Sequence, residues 1–180
     1  MTKTLRDRYP QLGLMMSQTV MPQPRSESGF SLIELLIVVA IIGILAALAV
    51  PNLLAARRSA NEGSAISSLR TIYSCQAIYH ATTGGGDYGD MAQLRAQTLT
   101  DTVLATGSKS GYSFGVTPTA PGVRPALYYV TATPIITSGV GKSGTRRFGL
   151  AEDGLLHGDS VTFSAYADEN AVKSAPALTN

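Results

Sequence analysis

One uncharged run constrains this chain more than any other feature. No charged residue occurs between Glu34 and Arg57, and the residues from Leu35 to Ala56 are nearly all apolar. About 20 apolar residues, rising 1.5 Å each in a helix, cross the roughly 30 Å hydrocarbon core of a bilayer. The stretch from Phe30 to Val50 meets that length. We therefore predict a membrane-length helix with a single carboxylate, Glu34, near its beginning.

A cleaved secretory signal peptide is the simplest alternative. The apolar region of such a peptide has only about 7 to 15 residues and ends at a small-residue cleavage site. Small residues do occur around Leu45 to Ala49, but Pro51 and a further apolar stretch from Leu53 to Ala56 follow them. Because cleavage there would remove the best-defined helix of the chain, the sequence favours a retained helix.

The carboxylate of Glu34 needs a physical reason. Charges within a membrane are tolerated mainly when they are paired or face a polar path. In the first turn of a helix, Glu34 is favoured by the helix dipole. If the mature chain began at Phe30, its ammonium group would lie about one turn from Glu34. A pair between Glu34 of one subunit and the amine of its neighbour would neutralise both groups; a Glu34 that snorkels to the interface without a partner is the alternative.

The segment that carries these residues, GFSLIELLIVVAIIGILAALAVP, closely resembles the N-terminus of type IV prepilins and of related type II secretion pseudopilins. Gly29, Phe30, Glu34, Gly43 and Pro51 stand at the spacing of that family. The resemblance implies cleavage between Gly29 and Phe30 by a prepilin peptidase, followed by N-methylation of Phe30. It covers only the N-terminal helix, and the rest of the chain matches the family's architecture more loosely.

What the resemblance implies for function is a structural subunit of a type IV pilus or pilus-like filament. The precursor would cross the bacterial cytoplasmic membrane once, in contact with lipid, and then polymerise with copies of itself into a surface pilus. Its other partners would be the prepilin peptidase, an inner-membrane assembly platform and an assembly ATPase, and its roles adhesion, motility or DNA uptake.

Two alternatives to a pilus subunit stay open. The first is a minor pilin or a type II secretion pseudopilin in a periplasmic pseudopilus. The major pseudopilins usually carry an acidic calcium-binding loop, which is not evident between Gly149 and Tyr166. The second is a permanently membrane-anchored periplasmic binding module, which would keep its leader.

Two residues within the predicted helix weaken it. Pro51 has no backbone donor, and Gly43 has low helix propensity. Together they mark a segment that can bend or lose helical hydrogen bonds. The resemblance implies that such a segment extends during assembly, and a static kink is the alternative.

Residues 1–29 form the predicted leader, and the resemblance implies that it is removed. This leader is longer than most in the resembling family, and Met21 begins a shorter one, MPQPRSESG. We predict that translation starts at Met21. Since Arg57 and Arg58 follow the apolar run and basic residues also precede it, the positive-inside rule does not decide the orientation.

The remaining chain predicts an α+β fold, with a long N-terminal spine helix packed on a small antiparallel sheet of three to five strands. Residues 30–56 would form the transmembrane or filament-core half of the helix, and residues 57–82 an amphipathic half. Its apolar stripe contains Ala65, Leu69, Ile72, Tyr73 and Tyr79, with Arg58, Glu62 and Ser68 as polar positions around it.

Residues 83–110 are predicted to form a loop with one short helix, opened by a capping box from Asp90 to Gln93. Residues 111–180 are predicted to form the antiparallel sheet and a C-terminal tail. Strand patterns occur at 112–117, 126–133, 146–151 and 155–157, with a further candidate from Val161 to Tyr166 in the tail. Glu152, Asp153 and Gly154 form a strong hairpin signal between two of them.

Composition excludes several function classes. A net charge of +2 offers no extended basic surface, so we predict no nucleic-acid site. Cys75 is the only cysteine, so no intrachain disulfide can close the tail, in contrast to many type IV pilins. We interpret Cys75 as a small buried residue of the helix.

No motif indicates an enzyme, a metal site or a cofactor. Gly84 to Gly89 formally fits G-x-G-x-x-G, but a helix precedes it where a dinucleotide site needs a strand. His80 and His157 lack ligand partners at metal-site spacing. Two aspartate pairs could hold calcium, although turn and capping roles explain them more simply: Asp87 with Asp90, and Asp153 with Asp159.

Overall fold

One long helix, α1 (Leu32–Ala81), contains 50 residues. The computed structural model describes residues 29–160 and 163–178. Among them, α1 is the one helix that is long and apolar enough to cross a membrane. The chain divides into two units, and their boundary, between Ile41 and Ile42, falls within α1. The predicted helix is confirmed; the predicted leader up to residue 28, including the proposed start at Met21, lies outside the described residues.

Two short helices follow the glycine-rich turn after α1. They are α2 (Met91–Ala96) and α3 (Thr102–Ala105). At the start of α2, the Asp90 carboxylate accepts from the Gln93 amide at 2.8 Å, and the Gln93 side chain accepts from the Asp90 amide at 2.8 Å. The predicted capping box is therefore confirmed. The Asp101 carboxylate caps α3 by accepting from the Leu104 amide at 2.6 Å, and this second helix was not predicted.

A five-stranded antiparallel sheet follows. Its strands are paired in chain order: β1 (Ser108–Lys109), β2 (Tyr112–Pro118), β3 (Tyr128–Pro134), β4 (Arg147–Ala151) and β5 (Leu156–Asp159). Val130 of β3 pairs with Val116 of β2 and with Leu150 of β4. This register puts apolar side chains from the central strands on one face. The α+β class is confirmed, with the strand count at the upper end of the predicted range.

The second half of α1 covers that face of the sheet. Leu69 and Ile72 are fully buried, and burying one such side chain contributes roughly 1.5–3 kcal/mol. Tyr79 also lies in the core, but Tyr73 is 37% exposed, so its predicted core position is wrong. The core side chains are, from α1, Ala65, Leu69, Ile72, Cys75 and Tyr79, from α2 and α3, Leu94 and Leu104, and, from the sheet, Tyr112, Phe114, Tyr128, Val130, Ala132, Phe148 and Leu150.

The opposite face of the sheet is partly covered as well. A fourth helix, α4 (Glu169–Lys173), lies after the sheet, and its Val172 packs with Tyr166 and with Ala151 of β4. A Cβ at Gly149 would lie 2.9 Å from both the Tyr166 ring and Val172. Glycine at this position therefore leaves room for the tail to pack on β4.

The predicted tail strand from Val161 to Tyr166 is wrong for its described part, residues 163–166, which are not in a strand; residues 161 and 162 lie outside the described residues. The edge of β5 that such a strand would need is occupied by residues 176–178. Gly158 donates to the Pro176 carbonyl at 3.0 Å, and Leu178 donates to the Leu156 carbonyl at 2.8 Å. The tail is thus closed by backbone hydrogen bonds to β5.

Candidate functional site

The residues of the predicted processing site lie at the beginning of α1. Gly29, Phe30 and Ser31 precede the helix, and Glu34 is in its first turn, where its amide donates to the Ser31 carbonyl at 3.1 Å. The Phe30 side chain is 76% exposed, and Gly29 and Glu34 are exposed as well. Within the described chain, nothing covers the peptide bond between Gly29 and Phe30, and the Glu34 carboxylate is accessible to a group from another molecule.

The first half of α1 exposes a continuous apolar surface. Its large hydrophobic side chains have exposed fractions between 44% and 80%. Such a patch marks an interaction surface, because soluble monomers rarely leave apolar areas of this size in water. The side chains are Phe30, Leu32, Ile33, Leu35, Leu36, Ile37, Val38, Val39, Ile41, Ile42, Ile44, Leu45, Leu48, Val50 and Leu53.

Gly43 and Pro51 both lie within the continuous helix α1. A Cβ added to Gly43 would meet no atom within 4 Å, so packing in the described chain does not require glycine there. Pro51 cannot donate to the carbonyl of Ala47, four residues earlier. Beside Pro51, the Asn52 side chain donates to the Leu48 carbonyl at 3.2 Å, which stabilises this turn of the helix. The predicted bend or melting of this segment stays a prediction.

The second half of α1 is fixed to the sheet by a buried carboxylate, Glu62. Its Oε1 accepts from the Thr145 amide at 2.7 Å and from the Thr145 hydroxyl at 2.6 Å. Its Oε2 accepts from Arg146 Nε and Nη2 at 3.1 and 3.0 Å. Burial alone would raise the Glu62 pKa, but the hydrogen bonds from Thr145 and the charge of Arg146 outweigh it and lower the pKa. The sequence pattern placed Glu62 and Ser68 outside the buried stripe, which is wrong, because both side chains are buried.

A buried amide, Gln76, fixes the loop after α1. Its Nε2 donates to the Gly89 carbonyl at 2.5 Å, and its Oε1 accepts from the Gly89 amide at 3.0 Å. A Cβ on Gly84 or Gly89 would lie within 3.0 Å of the Tyr79 ring. The first and last glycines of the G-x-G-x-x-G pattern therefore make room for an aromatic side chain, which supports the interpretation of this segment as a loop.

The aspartates considered for calcium have other roles. Asp87 pairs with Arg124, and Asp90 caps α2. Asp153 accepts from the Leu155 amide at 3.0 Å within the hairpin turn. Asp159 pairs with Arg147 at 2.9 Å. Across residues 29–160 and 163–178, no three His, Cys, Asp or Glu side chains converge as metal ligands would.

The lone cysteine and the tail tyrosine are both structural. Cys75 is buried, its Sγ donates to the Leu99 carbonyl at 2.9 Å, and burial raises its thiol pKa. Tyr166 stacks on the Arg147 guanidinium, with 3.9 Å from Cζ to the ring centroid. Burial, and then the charge of Asp159, raise the pKa of Tyr166 to about 12. Neither group has the lowered pKa of an activated nucleophile.

Comparison with known proteins gives a specific match at the N-terminus. The family model described as "Prokaryotic N-terminal methylation motif" matches residues 24–50. This range contains Gly29, Phe30, Glu34 and Gly43, and it ends one residue before Pro51. No solved structure gives a significant match to the chain.

Three curated proteins are each similar to part of this chain. The type IV wide pilus major component of Thermus thermophilus is 53% identical over 55 residues, which is 31% of this chain and 42% of that protein. The type IV major pilin protein of Myxococcus xanthus is 49% identical over 56 residues, covering 31% and 25%. The type II secretion system core protein G of Aeromonas hydrophila is 39% identical over 57 residues, covering 32% and 40%. Each match spans less than half of the relative.

Proposed function

We propose that this chain, which carries a prokaryotic N-terminal methylation motif on a long exposed apolar helix, is a structural subunit of a type IV pilus or pilus-like filament. The observation that carries the proposal is the coincidence of the motif at residues 24–50 with a helix half that its own described chain leaves exposed. The names of the three relatives describe structural components, which fits a non-enzymatic role.

In this proposal, α1 serves two environments in turn. As a precursor, the chain crosses the cytoplasmic membrane once, with lipid around the apolar half of the helix. A prepilin peptidase then cleaves between Gly29 and Phe30, and Phe30 is N-methylated. After processing, an assembly platform and an ATPase move the subunit into a filament, where the same apolar surface packs against copies of itself.

Charge pairing would allow the helix to move from the membrane into the filament. A carboxylate cannot enter an apolar helical core cheaply unless its charge is neutralised. Glu34 is exposed in the first turn of α1, and cleavage would create an ammonium group at Phe30, only four residues away in sequence. We propose that Glu34 of one subunit pairs with the Phe30 amine of its neighbour, and that Gly43 and Pro51 let the helix between them deform as the subunits pack.

The proposal divides the chain into five segments. Residues 1–29 are the leader, 30–56 the membrane and filament-core half of the helix, and 57–82 its amphipathic half. Residues 83–110 connect the helix to the sheet, and residues 111–180 contain the sheet and the tail. The assembled product would be an extracellular surface pilus.

The test is the identity of the mature N-terminus, followed by a search for filaments. The chain is expressed with and without a prepilin peptidase, and the membrane form is analysed by mass spectrometry. We expect a mature form that begins with methylated Phe30 only when the peptidase is present, and filaments containing it in sheared surface material under electron microscopy. A membrane form that keeps its leader in the presence of the peptidase would contradict the proposal and favour a permanently anchored module.

A second candidate is a type II secretion pseudopilin, favoured by the similarity to the core protein G of Aeromonas hydrophila. A pseudopilin would have the same processing step and the same N-terminal helix as a pilin. Its filament would differ in length and would lie in the periplasm. Surface filaments in a strain without type II secretion genes would exclude it, whereas secretion defects without surface filaments would support it.

A further inference from the structure

A cleft of about 470 Å³ lies where the uncharged run of α1 ends. One wall is the helix from Leu54 to Asn61, and the other is the loop of residues 135–146, which connects β3 to β4. The lining combines apolar and cationic side chains, among them Leu54, Arg57, Ile135, Ile136 and Lys142. All of these residues belong to the same structural unit, from Ile42 onward.

The loop is held firmly against the helix. The Asn61 side chain donates to the Ser143 carbonyl at 2.8 Å. Within the loop, the Ser143 amide donates to the Ile136 carbonyl at 3.0 Å, and the Ile136 amide donates to the Ser143 hydroxyl at 3.1 Å. The bonds from Thr145 and Arg146 to Glu62 fix its far end. Wherever the helix around Asn61 lies, the loop must lie beside it.

The loop carries an unusual set of side chains for a water-exposed surface. Ile135 is 52% exposed, Ile136 51% and Val140 77%. The sequence from Ile135 to Arg146 contains no Asp or Glu, and Lys142 contributes a cation at the cleft. Exposed aliphatic side chains next to cations are the combination that suits an anionic lipid surface, and the nearby carboxylate of Glu62 is paired with Arg146.

The position of the loop along α1 corresponds to the depth at which the lipid headgroups would lie. The uncharged residues from Leu35 to Ala56 would span roughly 33 Å, which is close to the hydrocarbon thickness of a bilayer. Asn61 follows Ala56 by about 7.5 Å of helix rise. The headgroup layer on each side of the hydrocarbon core is about 5–7 Å thick. A loop bonded to Asn61 therefore lies at the outer border of the headgroups.

We propose that the loop of residues 135–146 is a second membrane contact of the precursor. Ile135, Ile136 and Val140 enter the headgroup boundary, while Arg57 and Lys142 bind the phosphates of anionic phospholipid in the cleft. The inference rests on the proposed membrane placement of α1. Its consequence is a globular part that is fixed in orientation on the membrane and must detach from it when the subunit enters a filament.

The experiment measures the depth of single fluorophores on the full chain in vesicles. A Cys75→Ser background receives Ile136→Cys for the loop, Leu45→Cys for the membrane segment and Val123→Cys for an exposed side chain outside the cleft. Each label is exposed, in separate samples, to lipids that carry a quencher near the headgroup or deep in the acyl chain, in phosphatidylcholine vesicles with and without phosphatidylglycerol. We expect quenching at position 136 with phosphatidylglycerol, and none at position 123.

Charge variants make the test specific. Arg57→Gln and Lys142→Gln are each expected to lower the membrane-bound population of the loop about fivefold, the contribution of one cation near an anionic surface. Arg95→Gln, which removes an exposed cation on α2, is the matched control and is expected to change nothing. Equal quenching at position 136 with and without phosphatidylglycerol would overturn the assignment to anionic lipid.

The label at position 45 separates this inference from the proposed function. If that label is quenched from within the bilayer and the label at 136 is not, α1 inserts and the second contact is wrong. If the label at 45 does not insert, the membrane placement fails, and the loop contact fails with it. A change at position 136 seen only in assembled filaments would make the loop a contact between copies, which also overturns the proposal.

Discussion

The two halves of α1 differ in burial, and the difference is the opposite of what their composition alone predicts. The residues from Leu35 to Ala56 are almost all apolar, yet all except the half-buried Leu54 are exposed, whereas the less apolar stretch from Glu62 to Tyr79 is packed against the sheet. The first half has no covering element among the described residues. The second half is covered, and it holds a carboxylate and an amide within its buried surface. Burial in this chain therefore depends on which partners are present, and the first half needs partners from outside.

The largest expected effect comes from Glu34→Ala. Breaking a buried ion pair costs about 3–5 kcal/mol, so incorporation into filaments should fall below detection if the proposed pair with the Phe30 amine forms. Membrane insertion should stay unchanged. Immunoblots of sheared filaments against membrane fractions measure both, and Ser31→Ala, a change at the exposed residue just before the helix, is the control. Normal filaments from Glu34→Ala would end the charge-pairing proposal.

A matched pair of leucine truncations tests the comparison directly. Leu69→Ala removes a fully buried side chain and should lower the free energy of unfolding of the globular part by about 2–5 kcal/mol. Leu45 is 61% exposed, so Leu45→Ala should leave that free energy within about 0.5 kcal/mol of the unsubstituted chain. Urea unfolding in detergent micelles, followed by tyrosine fluorescence, gives both values. Equal losses would mean that the two halves are not energetically distinct.

Removing the carboxylate of Glu62, which fixes the second half of α1 to the sheet, should have a smaller effect. Glu62→Ala leaves the Thr145 amide and the Arg146 guanidinium without their acceptor, and we expect a loss of about 1–3 kcal/mol in the free energy of unfolding. Glu62→Gln keeps one acceptor oxygen and should lose less. The same urea titration measures the series. A neutral Glu62→Ala would show that apolar packing alone holds the helix on the sheet.

The smallest expected effect is a pH dependence of the same Glu62 contact. The pKa of Glu62 in the folded protein lies below its ordinary value of 4.5, so its contribution to stability is present above about pH 4.5 and is lost as the pH falls through the folded-state pKa. Between about pH 5 and pH 3 the unsubstituted chain should lose stability more steeply than Glu62→Gln. Parallel slopes for the two proteins would contradict the assigned pKa shift.

Much of the fold was predictable because local patterns and long-range packing agree. The spacing of Ala65, Leu69 and Ile72 predicted the packed face of α1, and Asp90 with Gln93 predicted the start of α2. Glu62, Ser68 and Gln76 were missed as buried residues, although all three continue the same spacing of three and four residues. The sequence pattern assigns polar side chains to the surface, and only the hydrogen-bond partners in the loops show that Glu62 and Gln76 are satisfied inside.

The tail illustrates the opposite case. The β-forming residues before Tyr166 predicted a strand, but residues 176–178 occupy the edge of β5. Local propensity cannot decide which of two segments pairs with an edge. The helix α4 did have a local signal, since Asp168 caps it by accepting from the Ala171 amide at 2.7 Å, with Glu169 in its first turn and Lys173 in its last. The assembly contacts of Glu34 stay a prediction, because they involve a second molecule.

The closure of the tail by Gly158 and Leu178 has a consequence for where this protein can fold and work. A loop closed by backbone hydrogen bonds does not depend on an oxidising compartment or on a disulfide-forming enzyme, and thiol reductants cannot open it. With its single thiol buried on α1, the protein should have the same stability and unfolding transition under reducing and oxidising conditions. Its folding is then independent of the redox state of its surroundings.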